Sequence, residues 1–257
     1  MKNILIIICT LLLTASSIIT YIYMHKKNTT SIICIKSDYY LVNKADSELV
    51  ISLYTDNDEC AFTKDSYIEY SHISTLEASY NLILKYIYKK HSERFENRVY
   101  TRYDYHFTMS ILDGNTKLNN AILSITLENG QRMNITIGNL TLIEDIYEEL
   151  TTIVSLRGSK DPLSLETRIR NVELELSEPI EELSGVKLGS KPLLYQITGN
   201  KVLVTIPYEE MALTSFPLLI QTSANTYLIP VFTYLTDYEE LNNNIQMVNH
   251  GHITESR

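Results

Sequence analysis

The chain has 257 residues, a formal net charge of −9, 44% hydrophobic residues and three cysteines. That hydrophobic content excludes a largely disordered chain, and 31 acidic against 22 basic residues excludes the positive footprint that nucleic-acid binding requires. No C-x-x-C occurs, so neither a zinc ribbon nor a thioredoxin-type site is supported.

Ile4 to Tyr23 contains no charged residue and no proline. About twenty residues rising about 1.5 Å each match a hydrocarbon layer roughly 30 Å thick. The stretch therefore reads as a transmembrane helix, residues 1–27 as a signal anchor, and the lipid bilayer as a partner. The competing reading is a cleavable signal peptide with Ala15-Ser16-Ser17 as its small-residue site. Continuation of the apolar run through Ile18, Ile19, Tyr21, Ile22 and Tyr23, with aromatics at its end, favours the uncleaved anchor. A lipoprotein is rejected, because Cys9 follows Ile6-Ile7-Ile8 rather than small residues.

Lys2 before the stretch and His25, Lys26 and Lys27 after it nearly balance. The very short N-terminal overhang then favours a cell-membrane protein, single-pass, with its C-terminal domain extracytoplasmic. In that compartment Cys34 and Cys60 are the pair available for a disulfide. Sequons at Asn28, Asn134 and Asn139 matter only in a glycosylating host.

Residues 28–160 read as a membrane-proximal α+β domain. Ile32–Lys36 and Tyr39–Val42 are β-prone, and Glu48–Thr55 alternates with Leu49, Ile51 and Leu53 on one side. Asp56-Asn57-Asp58-Glu59 lacks EF-hand spacing and reads as a turn. Ser74-Thr75-Leu76-Glu77 has the pattern of a capping box and predicts a helix to about Lys90, with Leu76, Tyr80, Ile83 and Ile87 at helical spacing. Tyr103–Leu112 alternates again and puts His106 on the wetter face without an acidic or cysteine partner at ligand spacing.

Two alternating runs flanking Asn129-Gly130 predict a hairpin over Ala121–Ile137. A second capping box, Thr141 with Glu144, predicts a helix that carries Ile143, Ile146, Tyr147, Leu150 and Val154 and stops at Arg157-Gly158. Ser159-Lys160-Asp161-Pro162 marks a boundary. Residues 161–236 then read as a small β-sandwich-like module with strands at Asn171–Leu176, Leu193–Thr198, Lys201–Ile206 and Tyr227–Leu235. Gly199-Asn200 is a turn, and Pro230 predicts an edge strand or a bulge. Residues 237–257 are polar and aperiodic and read as a disordered tail.

The fold class expected is strand-rich α+β: an N-terminal transmembrane helix, a mixed α/β-containing domain and a β-sandwich-like module. The chain holds no G-x-S-x-G, P-loop, G-x-G-x-x-G or H-E-x-x-H. His250-Gly251-His252 lacks a third ligand, and the pairs Glu148-Glu149, Glu181-Glu182 and Glu239-Glu240 do not converge on one face. No catalytic, cofactor-binding or metal-ligating residue is therefore assigned. Nineteen tyrosines without a tryptophan supply rigid amphipathic contact area. The expected function is non-enzymatic, a protein-interaction or accessory module of the cell envelope with an unidentified protein partner. The alternative is a cell-surface hydrolase or ligand-binding protein with a dispersed site. A pocket with converging carboxylates or histidines would favour the alternative, and a flat exposed apolar patch the interaction module.

Overall fold

The computed structural model describes residues 30–43, 47–110, 116–144, 148–149, 153–160, 169–177, 179, 183–188, 191–206, 215–223, 225–233 and 240–254. Contacts divide the chain after Ser31, and the architecture below is that of Ile32–Arg257. Ile4–Tyr23 lies outside the described residues, and no helix among the described residues is long and apolar enough to cross a membrane. The transmembrane and signal-anchor reading therefore has no support in the structure.

The α+β expectation is overturned: the described residues are 74% strand and 8% helical. The first sheet takes β1 (Ile32–Ile35), β2 (Ser37–Asn43), β3 (Leu49–Thr55), β4 (Ile68–Ser74), β5 (Ser79–Phe95), β6 (Arg98–Met109), β7 (Thr116–Leu127) and β8 (Arg132–Glu144). The helix expected up to Lys90 is the long strand β5. Its pairing with β6 shifts register between Leu84 and Tyr86. Leu82, Leu84 and Ile87 pack on the core, while Ile83, Tyr86 and Tyr88 face outward. A bulge that moves a two-residue alternation by one position produces three- and four-residue spacings, which imitate a helical stripe.

The residues of the first capping box form a hairpin turn. Thr75 Oγ1 accepts from the Glu77 and Ala78 amides, and the Thr75 amide donates to the Ala78 carbonyl at 2.8 Å. The same hydroxyl-to-amide chemistry caps helices and closes turns, so the motif alone does not choose between them. The second expected helix is overturned in the same way. Thr141–Glu144 ends β8, and Ile153–Lys160 is a strand, whereas residues 145–147 and 150–152 lie outside the described set.

The Asn129-Gly130 hairpin is present, but only Gly130 has a positive φ (+82°). The Gly130 amide donates to the Leu127 carbonyl and the Leu127 amide to the Gln131 carbonyl, both at 2.8 Å, which is a type I turn followed by a bulge. The loop with two positive φ values is Glu96-Asn97 (+46° and +63°), between β5 and β6, where no glycine signals it.

The second body takes β9 (Glu148–Glu149), β10 (Ile153–Lys160), β11 (Ile169–Leu176), β12 (Leu183–Leu188), β13 (Lys191–Pro192), β14 (Leu194–Thr198), β15 (Lys201–Thr205), β16 (Ser215–Thr222) and β17 (Thr226–Thr233). They form a four-stranded sheet, β10-β11-β15-β14, and a five-stranded sheet, β13-β12-β16-β17-β9. Val172, Leu174, Val202 and Val204 of one pack with Val186, Leu218, Ile220 and Ile229 of the other. This body begins before residue 161, because β10 pairs along β11. The Pro230 expectation holds at the backbone, where pairing with β16 jumps from Phe216↔Phe232 to Leu218↔Ile229.

Residues 240–254 contradict the expectation of a disordered tail. They form α1 (Glu240–Asn243), a 3-10 turn at Ile245–Met247, β18 (Val248–His250) and β19 (His252–Thr254). The first sheet is ten-stranded, ordered β18-β1-β3-β6-β5-β4-β7-β8-β19, and rolls into a half-barrel. β18 pairs with β1 and β19 with β8, so seven consecutive residues stitch the two edges of the sheet together. The chain also crosses this seam at Lys36: β1 pairs with β3, whereas β2 runs parallel to β8 from Ser37↔Gly138 onward. The segment orders because Leu241, Met247 and Val248 cover Ile33, Ile35, Tyr54, Phe95 and Tyr100, apolar groups on the outer side of the sheet. Its contributions come singly from short pieces, which leaves no periodicity to read.

Candidate functional site

Two places on the outer side of the half-barrel bring chemically distinctive side chains together. The first follows from the β5 bulge. Because β5 and β6 are antiparallel, Tyr86 lies opposite His106 and Tyr88 opposite Asp104. The Tyr86 and His106 rings stack at 4.2 Å and 21°, and Lys90 Nζ sits 4.4 Å from the Tyr88 ring centroid. His106 Nδ1 is 3.0 Å from Glu48 Oε2, a partner 58 residues away that sequence spacing could not show.

On β4, Tyr70 and His72 approach at 5.3 Å, and the Tyr70 hydroxyl donates to Asn81 Oδ1 at 2.5 Å. Arg132 lies 3.2 Å from His72 Nε2 and donates to Asn134 Oδ1, which also accepts from Ser124. Burial, reinforced by the Arg132 charge, holds His72 below its ordinary value. Within this polar frame Ile83 is 61% exposed, Tyr88 54% and Tyr86 43%, and Tyr70 and Val50 are exposed as well. The result is an exposed aromatic and aliphatic patch on the outer sheet face, bordered by Arg132 and by Lys90, which pairs with Asp104 at 3.8 Å.

The second place is a buried ionic network under α1. Arg102 reaches Glu240 at 2.5 Å and Asp104 at 2.7 Å, Ser52 donates to Asp104 at 2.8 Å, and the Tyr54 hydroxyl donates to Glu240 at 2.7 Å. Burial works against the Arg102 charge, yet Tyr54, Glu240 and Asp104 outweigh it and raise its pKa above the ordinary value. Burial, then the Glu240 charge, raises Tyr54 far above the usual phenol range, so its hydroxyl remains a donor. Glu93 accepts from the Leu241 amide at 2.9 Å. These groups fasten α1 to the sheet.

Beside the network lies an open cleft of about 710 Å³, lined by His91, Ser92, Glu93, Arg94, Glu96, Asn97 and Asn242. Its buried carboxylate, Glu93, is tied to the α1 backbone, which suits a fastening role better than proton transfer. Among the described residues no group of three or more His, Cys, Asp and Glu could hold a metal ion.

Cys34 and Cys60 are buried, and no disulfide joins them. Cys34 lies on the core side of β1 and donates to the Thr136 carbonyl at 3.2 Å, across the seam. Burial pushes its thiol up to about 12. The acidic turn is occupied by bases of β5 and β6: Lys89 donates to Asp58 at 2.6 Å and Arg98 to Asp56 at 2.7 Å. Asn139 donates to Asp38 at 2.7 Å, so this sequon's amide is already part of the β2–β8 contact. His250 and His252 lie on either side of Gly251 in the closing strands. Sequence reasoning missed the aromatic patch. Its one signal was the number of tyrosines, and reading β5 as a helix concealed which of them share a face.

The chain matches no family model, no curated protein and no solved structure.

Proposed function

We propose that this protein is a non-enzymatic interaction module that recruits a protein partner through the outer face of β4, β5 and β6. The observation that carries the reading is the joint exposure of Ile83, Tyr86 and Tyr88 on one face of β5. Monomeric proteins rarely leave such groups together in water without a use for them, and tyrosine is enriched where binding energy concentrates. Charges of both signs border the patch, Lys90 with Asp104 at 3.8 Å and Glu48 beside His106, which suits a partner whose own polar rim is mixed.

The test is affinity capture from cells that make the protein naturally, followed by measured binding of the captured species. Wild type is compared with the double variant Tyr86→Ala/Tyr88→Ala and with Leu203→Ala on the second body. Truncating one central tyrosine costs about 2 kcal/mol, so each replacement weakens binding roughly thirtyfold while Leu203→Ala leaves it unchanged. Equal binding by all three proteins, or no species specific to wild type, would refute the proposal.

A further inference from the structure

The second body has four sheet edges among the described residues, and three carry the devices that keep an edge from pairing with another chain. β13 is two residues long and contains Lys191 and Pro192. β9 is two residues long and both are glutamates. β10 carries Arg157 and Lys160, and its pairing with β11 shifts register twice. Short length, charge, proline and irregular register are the usual protections of an exposed edge. β14 has none of them: Leu-Tyr-Gln-Ile-Thr is uncharged, lacks proline and glycine, and pairs with β15 without a shift.

The geometry of β14 also defines which groups it offers. Thr198 and Lys201 flank the two-residue Gly199-Asn200 loop, so they form the hydrogen-bonded pair that closes the hairpin. Counting back by twos, Gln196 and Leu194 also turn their amides toward β15. Tyr195 and Ile197 turn theirs the other way, out of the sheet. Leu193, of the same parity, does so too and donates to the Val186 carbonyl at 2.8 Å where the chain leaves the other sheet. Side chains along this edge are left in water: Leu194 is 80% exposed and Ile197 45%.

We infer that two copies of this chain associate through β14, antiparallel, about a two-fold axis at Gln196. That register pairs Tyr195 with Ile197 of the second copy and Ile197 with its Tyr195, so all four outward residues exchange backbone hydrogen bonds. An axis at Ile197 would draw in Gly199, whose φ of +63° has already left the strand. The two faces match as well. Tyr195 against Ile197 is an aromatic and β-branched cross-strand pair, and Leu194 meets Thr198. Two copies with a net charge of −9 repel each other overall, and an uncharged strand is where they approach at least cost. Next to it, Lys201 already neutralises Glu173 at 3.0 Å. The contact is isologous and closes after two copies, so it does not propagate into a fibre.

The register makes the test specific. Gln196 on the axis faces itself as a non-hydrogen-bonded pair, about 4.5 Å between Cα atoms, within the range a disulfide spans. In the full chain, Gln196→Cys under mild oxidation is expected to become mainly a covalent dimer. Thr198→Cys, which faces Leu194 rather than itself, is expected to stay at the wild-type background. Cys34 and Cys60 are buried, and both variants carry Cys9→Ser so that the introduced thiol alone is read. Sedimentation equilibrium of wild type is expected to show the mass doubling as concentration rises. A single monomer mass at every concentration, or a dimer in which Gln196→Cys crosslinks no better than Thr198→Cys, overturns the proposal.

Discussion

Gly138→Ala is expected to be among the most damaging single-methyl changes in this protein, and the structure supplies its magnitude. A Cβ at Gly138 would lie 2.1 Å from the Ser37 carbonyl oxygen, 2.6 Å from its nitrogen and 3.0 Å from its carbonyl carbon. All three are backbone atoms, so no rotamer change relieves the contact; β2 itself must move away from β8. The φ of +111° adds a second penalty, since an L side chain rarely adopts it. A strained backbone conformation costs about 1–3 kcal/mol, and overpacking a fitted contact about as much again, so the expected loss is about 4 kcal/mol. Against a total stability of roughly 5–15 kcal/mol that is a large fraction.

Gly199→Ala is the control. It also has a positive φ, +63°, but nothing lies within 4 Å of the added methyl. Its cost is the conformational one alone, about 1 kcal/mol. Reduced unfolded-state entropy affects both variants alike and cancels in the comparison. Urea unfolding followed by circular dichroism gives both values. A Gly138→Ala variant no less stable than Gly199→Ala would refute the claim that the seam closes on backbone contact at Ser37.

Two further outcomes follow from the buried charges and thiols. Arg102→Met takes the cation from Glu240 and leaves Asp104 with Lys90 at 3.8 Å, and loss of one partner from a buried pair costs about 3–5 kcal/mol. Adding Glu240→Gln to the same chain is expected to restore part of that loss in urea unfolding; an additive double variant would deny the coupling. Cys34 unfolded loses its proton near pH 9, whereas folded it keeps it up to about 12. Stability from this residue is therefore full below pH 9 and declines as the pH rises toward 12. Cys34→Ala should flatten that alkaline decline, and native protein at pH 8 should take up maleimide at Cys34 only after unfolding. Prompt native labelling at Cys34 would contradict its burial.

The sequence by itself determined the features whose signal lies within a few residues. Asn129-Gly130 and Gly199-Asn200 place two hairpins because glycine adopts positive φ without a Cβ penalty. Alternation places β3, β6 and β15, and Pro230 marks a break in pairing because it lacks an amide hydrogen. The acidic turn was legible as a turn, since nothing near it in the chain completes a cation site. These are local conformational preferences, and they survive any change of neighbours.

Only the tertiary structure decided the rest. Thr75 has the same side-chain chemistry in a capped helix and in a hairpin turn, and it was the pairing of β5 with β4 and β6 that selected the turn. The bulge between Leu84 and Tyr86 is invisible until β6 supplies a register, yet it puts Ile83, Tyr86 and Tyr88 on one exposed face. Residues 240–254 have no pattern of their own. They order because Tyr54, Arg102 and Glu93, about 140 to 190 residues earlier, present a hydroxyl, a charge and an acceptor to Glu240 and Leu241. Contacts over such separations depend on which strands lie side by side, and strand order is a property of the assembled sheet that short-range spacing does not encode.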